Sequence, residues 1–208
     1  MNTLAGFYER IRSPTQGGTF SMLKTRENEK LVDAIVYFAE NTANCGKTKL
    51  FKLLFLFDFE HYKQTGRSVT GLDYYAWKLG PVPADLDNEL DSESPENSLL
   101  WDSINITPQA AINFVRLQIV PKREFNPEHF SKRELRLLEL LANEHRYKTA
   151  DQMVDLTHAE NGVWARVYAD GAGKFEKIPY QLALEGEGAA QILERAKEYE
   201  AIKEHFAG

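Results

Sequence analysis

Apolar residues recur at helical spacing from Thr25 onward, where Leu31, Ile35 and Phe38 share one face with Val32, Val36 and Ala39 beside it. This predicts an amphipathic helix that "ENTANCG" (residues 40–46) interrupts. A second helix is expected from about Thr48 to Gln64, with Leu50, Leu53, Leu54 and Phe57 on one stripe and Phe51, Phe55 and Phe59 on the next. Apolar residues surround its middle, the mark of a helix enclosed by its neighbours. Gly66 stops it. The pattern then turns to residues that favour extended backbone: Val69, Thr70, Tyr74, Tyr75 and Trp77, punctuated by Gly71 and Gly80.

Further along, Pro83 opens a short helix bearing Leu86 and Leu90, "DSESPENS" (residues 91–98) reads as loop, and residues 113–120 alternate like a strand. Ser131 with Glu134 forms a capping box before a helix carrying Leu135, Leu138 and Leu141. Thr149 with Gln152 forms another, opening a shorter helix through Leu156. Trp164, Val167 and Tyr168 predict one more short helix, "KFEKIPY" (residues 174–180) a brief strand, and residues 187–206 a final helix. The expectation is a mainly α (α+β) fold: a single compact helical domain over residues 25–208 with a small β-sheet or hairpin. Residues 1–24, with their turn-forming "SPTQGG", are read as a flexible N-terminal extension.

Composition changes this picture little, and charge more. At 208 residues, 43% hydrophobic and 27% charged, the chain has the make-up of a globular protein with a substantial core. It has no apolar run near the ~20 residues that cross a bilayer. Its start lacks the basic and apolar regions of a secretory signal, and Cys45 is the only cysteine. A cytoplasmic location is therefore expected. The net charge of −6 disfavours nucleic acid as a partner. Between Lys78 and Arg116 there is no basic residue, yet Asp85, Asp87, Glu89, Asp91, Glu93, Glu96 and Asp102 fall there. Such a field attracts a basic partner; equally, it suits a solvated loop.

Candidate chemistry is sparse. Gly46-Lys47-Thr48 has the residues of a phosphate loop, but Asn41 stands where the first glycine belongs, and a helical pattern precedes it instead of a strand. The triplet reads as a turn between helices, with Gly46 past the end of one and Thr48 capping the next. The five histidines are scattered, with no His-Glu-x-x-His spacing. Asp58 and His61, three apart on one helical face, are the one pair that a metal reading could start from. Residues 131–170 follow the outline of a helix-turn-helix, but the segment that would enter the groove carries Arg166 beside Glu160 and Asp170. No catalytic residue, cofactor or metal is expected, and the chain is read as not an enzyme.

Two blocks carry a resemblance. The first runs from Lys49-Leu50 through Asp58-Phe59, Thr65-Gly66-Arg67 and Tyr75-Ala76-Trp77 to Gly80-Pro81-Val82-Pro83; His158 and Trp164 mark the second. Together, over roughly residues 27–185, they resemble the Panacea domain of SocA-like antitoxins. The resemblance implies an antitoxin of a bacterial or phage toxin–antitoxin locus that neutralises its toxin by direct binding. A branch of that family instead delivers its toxin to an ATP-dependent protease, so an adaptor is the alternative. A DNA-binding regulator and an uncharacterised enzyme built on Asp58 and His61 stand behind these, and homo-oligomerisation is left open.

The partner is expected at Asp85, Asp87, Glu89 and Asp91, rimmed by Tyr74 and Lys78. On this reading Tyr75 and Trp77 face the core, which leaves Tyr74 and Lys78 exposed. Lys49, Asp58, Gly66, Gly80 and Pro81 are taken as structural, with His158 and Trp164 a packed pair. Arg67 either pairs with Asp58 or Asp73 or reaches a partner.

Overall fold

The computed structural model describes residues 22–92, 98–110, 115–159 and 162–207. Its centre is the apolar helix foreseen above. Helix α1 spans Met22–Asn41 and α2 spans Lys47–Thr65. From Lys49 to Phe59 α2 is buried at every position but Leu56, which packs against the core from its edge. Around it come a hairpin, β1 (Tyr75–Trp77) and β2 (Gly80–Val82), then α3 (Ala84–Asp91) and α4 (Leu99–Ser103). A second antiparallel pair follows, β3 (Ile104–Ala110) with β4 (Val115–Pro121). Helices α5 (Lys132–Glu144), α6 (Ala150–Thr157), α7 (Val163–Tyr168) and α8 (Ala189–Ala207) complete the order, with 3-10 turns at Ala169–Gly171 and Tyr180–Ala183. The fold is mainly α, with two small antiparallel two-stranded sheets among the described residues.

Both capping boxes form. Ser131 Oγ accepts from the Glu134 amide while Glu134 Oε2 accepts from the Ser131 amide, and Thr149 and Gln152 do the same at α6. Helix α5 then lays Leu138 and Leu141 against α2 and α1.

Several expectations are corrected. Helix α1 begins at Met22 instead of Thr25; of the supposed extension, residues 1–21 lie outside the described residues, as do 93–97 of the loop at 91–98. Thr48 does not cap α2: the helix starts at Lys47, and Gly46 occupies the cap with no side-chain hydrogen bond. Gly46 is there because β4 crosses close by, and a Cβ would stand 2.7 Å from the Leu117 carbonyl oxygen. Strand β3 has no counterpart in the expected elements. "KFEKIPY" is no free-standing strand; it adds to the edge of the hairpin, where Phe175 and Ile178 donate to the carbonyls of Ala76 and Tyr74, and Ala76 donates to Glu176.

Candidate partner-binding site

The hairpin and α3 are consecutive in the chain and anchored to α2 by buried polar groups. Asp58, fully buried on α2, accepts four hydrogen bonds: from the Val69 and Thr70 amides at 2.7 and 2.9 Å, the Thr70 hydroxyl at 2.5 Å and the Tyr74 hydroxyl at 2.8 Å. These bonds tie the segment before β1 to the core, and no oxygen of Asp58 remains for a metal ion. Burial pushes the Asp58 carboxyl up, against the pull of its four donors.

Asp58 also sets which way β1 faces. With Tyr74 drawn inward to the carboxylate, Ala76 points in as well, and both are fully buried. Tyr75 and Trp77 fall on the outer face and are half-buried, Trp77 packing edge-on against Phe175. The expected alternation is present with the opposite phase, so Tyr74 is not a surface residue, while Tyr75 and Trp77 are only half-buried, Trp77 packing against the edge of the core. Lys78 is exposed at the hairpin apex, as expected, and beside it Leu79 is 61% exposed.

The apex is braced from beneath. Lys52 of α2, almost fully buried, donates to the Pro81 carbonyl at 2.9 Å. Gly80, at φ +100°, lies so close that a Cβ would meet Lys52 Cε at 2.8 Å and Thr157 Oγ1 at 3.0 Å. Burial lowers the Lys52 amine to about 7. Trp164 Nε1 donates to the Trp77 carbonyl at 3.0 Å. Its ring stacks on His158 with centroids 3.7 Å apart, so the expected packed pair forms. His158 Nε2 is buried with no hydrogen-bond partner among the described residues; burial, then the nearby Lys52 charge, lowers its pKa, so a neutral ring packs there.

The remaining motif residues are structural in place. Lys49 donates to the carbonyls of Ala43 and Arg146 at 2.9 and 3.0 Å, tying the turn before α2 to the end of α5. Gly66 is the left-handed C-cap of α2. Arg67 pairs with neither Asp58 nor Asp73; its guanidinium lies over the Tyr199 ring of α8 at 4.2 Å, and Asp73 is held by Lys177 at 2.7 Å. His61 does not converge with Asp58 on a shared ligand: its Nδ1 donates to the Arg67 carbonyl at 2.8 Å.

Helix α3 presents the acidic residues unevenly. Lys47, at the start of α2, lies 2.7 Å from both Asp87 and Asp91. Asp85 and Glu89 are exposed and carry no ion pair among the described residues. The acidic field is therefore narrower than the sequence suggests, because the counter-charge comes from a residue 40 positions upstream of Asp87. Two contributors went unread: Lys47, whose only sequence signal was the discarded phosphate triplet, and Leu79, an apolar residue at a turn.

The model of the antitoxin SocA-like Panacea domain matches residues 50–165. The chain belongs to that family. No curated protein and no solved structure matches it. Within this Panacea domain the motif residues converge on one task. Lys52, Asp58, Gly80, Pro81 and Trp164 fix the hairpin on α2 and so position the outer faces of the hairpin and α3.

Proposed function

We propose that this chain is an antitoxin that neutralises its cognate toxin by direct contact and works by binding, not by turnover. The contact face is the hairpin apex with the outward side of α3: Lys78 and Leu79, then Asp85 and Glu89, with Asp91 at the edge. Family membership supports the role. One observation carries the placement: Asp85 and Glu89 stand exposed without a counter-ion among the described residues, on the helix that follows a braced hairpin bearing an exposed leucine at its apex. An exposed leucine together with the carboxylates of Asp85 and Glu89 suits a protein partner with a basic, partly apolar patch.

The test is co-expression with the toxic product of an adjacent reading frame, read as colony growth and as co-purification. The double variant Asp85→Lys/Glu89→Lys is expected to lose co-purification and protection while keeping the native melting midpoint. Full protection by this variant refutes the placement. Protection that depends on accelerated loss of toxin, read as its half-life in cells, replaces occlusion with delivery to a protease.

A further inference from the structure

A concavity lies away from the hairpin, where α8 packs over the end of α2. Its volume is about 630 Å³, and its walls come from α1, the C-terminal end of α2, the start of α5 and α8. This is the size of a small-molecule site, which typically runs from roughly 300 to 1,000 Å³. In a chain of net charge −6, the cleft is lined, among the described residues, by five Lys and Arg side chains against three glutamates.

The floor is already balanced. Lys30 Nζ lies 2.7 Å from Glu134 Oε1, and the other oxygen of Glu134 accepts from the Ser131 amide at 2.6 Å. His61 Nε2 faces the same carboxylate at 3.9 Å. The rim is not balanced. Arg26, Arg133 and Arg195 come from three different helices, are exposed, and make no ion pair among the described residues. Arg67 sits over the Tyr199 ring and forms one wall.

Gathering guanidinium groups around a concavity costs mutual repulsion, which a multiply charged anion relieves. Planar forks also suit phosphate oxygens, which accept two parallel hydrogen bonds. The start of α5 adds the positive end of a 13-residue helix on the same side.

We propose that this cleft binds a small phosphate-bearing anion of nucleotide size, held by Arg26, Arg133 and Arg195 against the Arg67–Tyr199 wall. The acidic character of the rest of the chain favours a small ligand over a nucleic-acid strand, whose flanking phosphates would leave the cleft and meet carboxylates.

Titration calorimetry on the full chain tests this, with ATP and inorganic phosphate as separate arms and a short single-stranded DNA as a third. Saturable binding of ATP is expected, weakened about tenfold or more in Arg133→Gln/Arg195→Gln with an unchanged melting midpoint, since two charge-assisted contacts are lost. Arg26→Gln gives the same comparison if the double variant fails to fold. Phosphate binding as tightly as ATP, and equally sensitive to these arginines, identifies the free anion as the ligand. No saturable heat from either probe, binding indifferent to the arginines, or a preference for the DNA overturns the proposal. The readout does not involve the toxin, so it stands or falls apart from the antitoxin reading.

Discussion

Tyr74→Phe removes one oxygen and nothing else from a fully buried site. The Tyr74 hydroxyl donates to Asp58 Oδ2 at 2.8 Å, and the ring packs edge-on against Phe55 and Phe59. The phenylalanine ring keeps those contacts, so the cost is that of one hydrogen bond to a buried carboxylate, about 1.5–3 kcal/mol. For a domain of this size that is a fall of roughly 3–12 °C in melting midpoint. Asp58→Ala goes further, because it strands the Val69 and Thr70 amides and both hydroxyls at once. At ~1–3 kcal/mol per orphaned buried group, the loss consumes much of a typical stability of about 5–15 kcal/mol. Asp58→Asn lies between: its oxygen can keep the two amides, and its NH₂ can donate to the hydroxyls once they rotate. Chemical denaturation should therefore rank the variants Tyr74→Phe, Asp58→Asn, Asp58→Ala in rising severity. Equal losses for Asp58→Asn and Asp58→Ala, or a Tyr74→Phe cost below about 0.5 kcal/mol, would refute the claim that this carboxylate anchors the hairpin.

Three further outcomes are expected. Gly80→Ala places a methyl against Lys52 and Thr157 at a positive φ, and should destabilise by about 1–3 kcal/mol in a denaturant titration. Lys52 is held at about 7 by burial, so the folded chain binds fewer protons than the unfolded one up to the ordinary lysine value of ~10.4. Its burial is therefore a penalty that is full below about pH 7 and is relieved as pH rises through that window; melting curves of Lys52→Met against pH should be flatter between about 7 and 10. Asp87→Lys sets a second cation beside Lys47, so it should lower the stability, whereas Asp85→Lys should leave it within about 0.5 kcal/mol of native in a denaturant titration.

The helical scaffold was legible in the sequence because its signals are local. The all-round apolar character of α2, the two capping boxes and the Gly66 stop each lie within a few residues of what they predict. The errors share a different cause. The phase of Tyr74–Trp77 depends on a carboxylate 16 residues earlier, and alternation alone has no preferred face. An aspartate between Phe57 and Phe59 in an otherwise apolar stretch was the available hint that a buried acceptor needed donors. The acidic field was overstated because its counter-ion, Lys47, is distant in sequence. Strand β3 escaped notice because its pattern is weak and its pairing with β4 is a non-local property.

The edge-on addition of residues 175–178 to the hairpin bears on how this domain can be cut. The family match ends at 165, yet three main-chain hydrogen bonds from beyond that point complete the sheet beneath the apex. The match also begins after α1, which supplies Ile35 and Phe38 to the interior. A fragment trimmed to 50–165 would expose one flank of α2 and an open strand edge, and should clump instead of folding. Exchanging this segment between members of the family would accordingly require carrying both flanks with it.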